Sequence, residues 1–160
     1  MIPISDCMKC KVISIHQDAT LREAVSIVVE NKVGTLPVID AGGKLVGVVK
    51  LRDLLSLVMP NFINFIDHFE FVHSFGALDL RKPSKAELNR KVSEIMEEPV
   101  YAEETFSLMH AAAILHKNGL KDLPVINKEG DLIGLASHVD IGTALMRSWL
   151  IVNGDSAEKK

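Results

Sequence analysis

The sequence predicts a mixed α/β chain of α+β character, in which two β-α-β-β-α repeats pack about a pseudo-twofold axis with a helical insert between them. Three observations predict it. Sliding the chain on itself by 87 positions gives 12 identities over the 34 gap-free positions from Thr20 to Asp53, where ordinary residue frequencies give about two or three by chance. Within each copy the apolar period alternates between strand and helix spacing. Five of the six Phe fall within the 14 residues 62 to 75, outside both copies.

The elements follow in order. Val12 to Ile15 and Val100 to Ala102 are short β-prone runs, read as strands. Thr20-Leu-Arg-Glu23 is a capping box, and the apolar positions that follow it keep helical spacing. Ser107 caps the counterpart helix, where His110 replaces the reciprocal Glu and weakens the start. Leu36 to Ile39 and Leu45 to Val49 flank Asp40-Ala-Gly-Gly-Lys44, a hairpin signature in which Gly supplies positive φ. Asn127-Lys-Glu-Gly-Asp131 repeats it. Leu51, Leu54, Leu55 and Val58, and in the second copy Ile141, Leu145 and Trp149, return to a helical period. Units of this size bury a sheet poorly alone, so the copies are expected to pack together.

Composition narrows the function. With 160 residues, 48% hydrophobic and 24% charged, the chain has the means for a folded core. Its 18 Lys and Arg against 21 Asp and Glu give no basic field for nucleic acid or an anionic membrane surface. No apolar run approaches the roughly 18 residues of a spanning helix. The start lacks a basic segment before an apolar core, and two Cys make no disulfide framework, so a cytoplasmic location is expected.

Met8, Thr20-Leu-x-Glu-Ala24, Leu36-Pro-Val-Ile-Asp40, Gly43-Lys-Leu-Val-Gly47 and Asp53-Leu54 together resemble a CBS domain, the module named from cystathionine β-synthase. Met96, Pro99-Val100, Ser107-Leu-x-x-Ala111, Leu123-Pro-Val-Ile126, Gly130-Asp-Leu-Ile-Gly-Leu-Ala-Ser137 and Asp140-Ile141 resemble a second. Two in tandem are similar to a Bateman module, whose clefts bind adenosine nucleotides or related adenosyl ligands and regulate an attached or partner protein. The resemblance implies boundaries of 1–58 and 92–152 for the repeats, 59–91 for the insert and 153–160 for a disordered tail.

The residues of one candidate site also read by themselves. Ser137-His-Val-Asp140 follows a strand and opens a helix, whose first-turn N–H groups favour an anion. Ser137 suits a phosphate and Asp140 a ribose diol, while S-x-x-D is equally an ordinary capping box. In the first copy Lys50 stands where the family has Ser or Thr. It offers a point charge for a phosphate beside Asp53, or else the cleft is vestigial. The resemblance adds Val12 and Ile13, with Leu135, to the Asp140 pocket, and Val100 and Tyr101, with Val48, to the Asp53 pocket. Lys121, three residues before Pro124, is near enough to the centre to serve either, or is a solvated surface lysine. The implied ligand is AMP, ADP or ATP, with S-adenosylmethionine a further candidate, and no cofactor is required. A homodimer and an unnamed regulated protein are the implied partners.

Other signals are weaker. Cys7-Met-Lys-Cys10 has metal or redox spacing but no second ligand pair. The six His make no triad-like arrangement, and no nucleophile elbow or phosphate-binding glycine loop accompanies them, so no enzyme is expected. In the insert, Pro60 and Asn61 start a predicted helix with Phe62, Phe65, Ile66 and Phe69 on one face, ended by Gly76 and Arg81-Lys-Pro83, and Ser84-x-x-Glu87 starts another. This stripe packs onto the chain's own helices or forms an interface. The rival to ligand sensing is therefore an interaction module with empty clefts that acts through this insert.

Overall fold

The structure, a computed structural model, describes residues 1–59 and 81–152. Two three-stranded sheets of identical topology carry the chain. In the first, β1 (Ile15–His16) runs parallel to β2 (Thr35–Ile39), which pairs antiparallel with β3 (Leu45–Lys50). In the second, β4 (Ala102–Glu103), β5 (Asp122–Ile126) and β6 (Leu132–Ser137) repeat the arrangement, down to an irregularity between Val125 and Ile126 that matches one between Val38 and Ile39. Helices α1 (Leu21–Asn31) and α4 (Leu108–Asn118) make the parallel crossovers that two-residue turns cannot. Helices α2 (Leu51–Ser56) and α5 (His138–Val152) follow the last strands, and α3 (Lys85–Leu88) precedes the second copy. The predicted fold class and the duplication are both present.

Local chemistry explains the boundaries. The Thr20 hydroxyl accepts from the Glu23 N–H at 3.3 Å while the Glu23 carboxylate accepts from the Thr20 N–H at 2.7 Å, the predicted capping box. Ser84 and Glu87 start α3 the same way. Ser107 caps α4 with only the outgoing half of the box. In the hairpins Asp40 Oδ1 accepts from Gly42 and Lys44, and Asn127 Oδ1 from Glu129 and Asp131. Gly43 and Gly130 then take φ of +84° and +87°, open to glycine without strain.

Several expectations shift. The first strands do not span Val12–Ile15 or Val100–Ala102: pairing begins only at Ile15 and at Ala102. Upstream residues leave the sheet because this stretch crosses from one repeat to the other, where Lys9 pairs with Leu135 and Glu97 with Val48. Helix α2 ends at Ser56, so Val58 lies beyond it. Of the apolar residues that keep the helical period, Leu51, Leu55 and Trp149 are 43%, 44% and 61% exposed, whereas Leu54 and Ile141 are buried. The predicted Phe-rich helix and the 153–160 tail lie outside the described residues.

The two cores contain a finding that the repeat alone does not imply. Ile4, from the first copy, is fully buried among Leu108, Ala111, Leu123 and Ile141 of the second. Val92, which opens the second copy, is fully buried among Leu21, Leu36 and Val49 of the first. Backbone bonds hold each exchange, Ile4 N–H to Phe106 O at 2.8 Å and Val92 N–H to Ala19 O at 2.8 Å. Each repeat thus completes its partner's core.

Candidate functional site

The exchanged segments build the clefts. Met96 lies over Gly47 so closely that a Cβ there would fall 2.5 Å from its Sδ, and Met8 covers Gly134 in the same manner. Only glycine admits this approach. Directly after each Met, the chain pairs with the last strand, β3 or β6, of the opposite repeat. Glu97 exchanges backbone bonds with Val48 at 2.9 and 3.0 Å, and Lys9 with Leu135 at 2.9 and 3.0 Å. Residues 97 and 9 are therefore equivalent, and Glu97 lines a cleft between the repeats while Lys9 lies beside Asp140.

The first cleft encloses about 570 Å³ and is lined from both repeats. It brings together four of the expected residues, Val48, Lys50, Val100 and Lys121. Tyr101, 43% exposed, and Asp53 are not among its lining residues. Asp53 sits beside it, its Oδ2 accepting from the Lys50 N–H at 2.7 Å. Lys50 has no acceptor with which to cap α2, and its ammonium instead bonds Glu97. Arg52 Nη2 reaches the other oxygen of the same carboxylate at 3.3 Å. These two cations hold the Glu97 carboxyl below its ordinary value, against the effect of burial. Burial, joined by the Glu97 charge, raises Asp53 despite its bond from Lys50.

Around Asp140 the charges are reversed. Its Oδ2 accepts from the Ser137 N–H at 3.0 Å and from the Ser137 hydroxyl at 2.7 Å, while Ser137 Oγ accepts from the Asp140 N–H at 3.0 Å. The capping box is thus real, and Oδ1 takes no hydrogen bond among the described residues. Lys9 Nζ lies 4.0 Å from Oδ2. Burial raises the Asp140 carboxyl, but Ser137, Lys9 and His138 outweigh it and leave it below its ordinary value. Leu135 is partly buried beside the Lys9 crossing, Val12 is partly exposed, and Ile13 packs against the first-repeat core. The His138 N–H donates to Lys121 O at 2.7 Å, and Lys121 lines the first cleft. It also lines a second pocket, of about 400 Å³, with His138, His116 and Gly142.

Sequence reasoning missed Glu97 and Lys9. Their signal is the dipeptide Met-Lys aligned on Met-Glu at an offset of 88, one position out of step with the 87 that aligns the strands. Cys7 is partly buried against the second core, with its Sγ 3.5 Å from Ile4 O, and Cys10 is exposed. Among the described residues no three His, Cys, Asp or Glu gather as metal ligands. No helix among them is long and apolar enough to cross a membrane.

Comparison with known proteins agrees with this architecture. An uncharacterized protein of Methanocaldococcus jannaschii is 29% identical over 154 residues, covering 89% of this chain and 90% of its own. The crystal structure of CBSX2 in complex with AMP matches with a TM-score of 0.70 at 24% identity over 93% of this chain and 99% of that one. The CBS domain pair of protein MJ0100, in complex with 5′-methylthioadenosine and S-adenosyl-L-methionine, matches with a TM-score of 0.65 at 19% identity, over 92% and 98%. The CBS domain family profile matches twice, over residues 4–60 and 92–147. Two copies of one unit, each completed by a segment exchanged from the other and each matched by the family profile, make this chain a member of the CBS domain family, as a tandem pair.

Proposed function

We propose that the chain is a non-catalytic regulatory module that senses an adenosine-containing ligand, of the AMP, ADP and ATP class or S-adenosylmethionine, in its inter-repeat clefts. The observation that carries this reading is the first cleft itself. Its roughly 570 Å³ falls in the range of small-molecule sites, and both repeats contribute apolar walls, Val48 and Val100, and charged groups, Lys121 and the Lys50–Glu97 ion pair. The adenosyl ligands held by the structurally similar pairs favour the same chemistry. At Asp140 the unengaged Oδ1 suits a ribose diol, and Ser137 and Lys9 stand near enough for a phosphate.

Because each cleft joins residues from both repeats, a ligand there biases their relative angle, and a protein partner reads the change. Self-association fits the exposed stripe of Val139, Met146, Trp149 and Leu150 on α5, which a second copy would cover. The expected location is the cytoplasm.

Calorimetry and thermal shift with AMP, ADP, ATP and S-adenosylmethionine test the reading. At least one binds below millimolar concentration and raises the melting temperature, and Asp140→Ala or Asp53→Ala weakens it. No binding below millimolar by any of the four sinks it, and so does binding that neither substitution changes.

A further inference from the structure

The two crossings between repeats share one backbone plan but carry opposite charges beside the candidate carboxylates. At equivalent positions, Lys9 leans on Asp140 in one and Glu97 lies between Lys50 and Arg52 in the other. A carboxylate bridging a lysine and an arginine has two oxygens in the arrangement that a ligand's phosphate takes between the same cations. The first cleft is thereby filled, electrostatically, by the protein's own anion. Its lining holds three cations, Lys50, Arg52 and Lys121, against three carboxylates, Glu97, Glu98 and Asp122, and Asp53 beside it makes a fourth. Of these carboxylates Glu97 is the one that bonds both Lys50 and Arg52, and backbone pairing with Val48 keeps it there.

We propose that Glu97 is the specificity-determining residue of the cleft beside Asp53. It neutralises Lys50 and Arg52, so that this cleft takes neutral or cationic adenosyl ligands in preference to phosphorylated ones, which go to the Asp140 cleft. The inference rests on reading the clefts as adenosyl sites and assigns each a ligand charge. A phosphate entering the first cleft displaces Glu97 and leaves that carboxylate unpaired near the new anion. A neutral 5′ substituent leaves the three-residue ion pair intact.

Amide chemical-shift titration of the full chain separates the two sites without disabling either. Val48 and Val100 report one cleft, and Lys9 and Leu135 the other. The ligands are 5′-methylthioadenosine, which is neutral, and AMP. In the unaltered chain, methylthioadenosine moves Val48 and Val100 at lower concentration than AMP does, and AMP moves Lys9 and Leu135 first. With Glu97→Gln the AMP dissociation constant at Val48 and Val100 falls about tenfold, equivalent to about 1.4 kcal/mol. The methylthioadenosine constant shifts by less than about twofold, since no charge on that ligand meets the site. Glu97→Lys, which copies the charge of Lys9, lowers the AMP constant further. An unchanged ratio of the two constants in both variants overturns the role of Glu97 while the clefts stand as ligand sites. Absence of any response to either ligand overturns the cleft reading and this proposal with it.

Discussion

Lys44 and Asp131 occupy the same position of the two repeats, 87 residues apart, and their side chains meet in an ion pair of 2.7 Å. Thr35 and Asp122, also 87 apart, do the same through a 2.7 Å hydrogen bond from the threonine hydroxyl. Equivalent positions touch only where the pseudo-twofold axis passes, so these two pairs mark the axis. Reciprocal backbone bonds, Leu45 N–H to Gly130 O and Leu132 N–H to Gly43 O, confirm it beside the ion pair. A perfect duplication would set like beside like here, and divergence has replaced that with complementary charge.

Reversing either charge of the Lys44 and Asp131 pair therefore places two like charges together. Both side chains are about two-fifths exposed, so Lys44→Asp or Asp131→Lys lowers stability only modestly. The double exchange restores most of it. Denaturant melts of the four proteins in a double-mutant cycle check the coupling, which fades at high salt.

The exchanged segments predict a crossed pattern of stability. Ile4→Ala removes a fully buried side chain and costs about 2 to 4 kcal/mol. Amide hydrogen exchange then shows protection lost in α4, β5 and β6, not in the first copy to which Ile4 belongs by sequence. Val92→Ala loosens α1, β2 and β3 by the same logic. Loss confined to the mutated residue's own copy would contradict the exchange.

Gly47→Ala forces a methyl group onto the Met96 side chain, whose Cβ as well as Sδ is in the way. The expected loss is about 1 to 3 kcal/mol. Truncating Met96 to Ala in the same protein recovers part of it, because the Sδ and Cγ contacts are removed while the Cβ contact stays. Urea melts of the single and double variants decide the point.

Helices α1 and α4 both end in the left-handed region, Lys32 at φ +53° and Gly119 at φ +60°. Lysine is strained there and glycine is not. Lys32→Gly is expected to stabilise the protein by about 0.5 to 1 kcal/mol, and Gly119→Ala to destabilise it by a similar amount. Thermal melting gives both signs.

Asp53 and Asp140 respond to acid in opposite senses. The Asp140 carboxyl lies below its ordinary value of 3.8 in the folded chain, so its contribution is present above that value and is lost as pH falls through the folded one. The Asp53 carboxyl is raised, so its charge opposes folding at neutral pH, and that cost vanishes as acid protonates it. Asp140→Asn flattens the acid limb of the stability curve and lowers neutral stability by about 1 kcal/mol through the cap. Asp53→Asn steepens the acid limb and leaves neutral stability unchanged or higher. Unfolding free energies between about pH 2 and 7 separate the two.

Much of this molecule is written in short-range pattern. The capping residues Thr20, Ser84 and Ser107, the hairpin residues Asp40, Gly43, Asn127 and Gly130, and the strand cores of Leu36 to Ile39 and Leu123 to Ile126 are legible because each acts within a few positions of itself. The duplication, the family, and the capping pair of Ser137 with Asp140 follow from such pattern. Tertiary structure alone decided which core each apolar residue enters: Ile4 and Val92 are each buried in the core of the other repeat. It likewise decided that Leu51 and Leu55 line the first cleft while Trp149 is exposed, that Lys44 meets Asp131, and that Glu97 meets Lys50. These contacts join residues tens of positions apart, and the one-residue slip between offsets 87 and 88 conceals that Lys9 and Glu97 are counterparts. Burial is a property of one residue's chemistry and spacing, whereas partnership is set by where the chain crosses, and the crossing lies in residues 9 to 14 and 97 to 101, which carry no periodic signal.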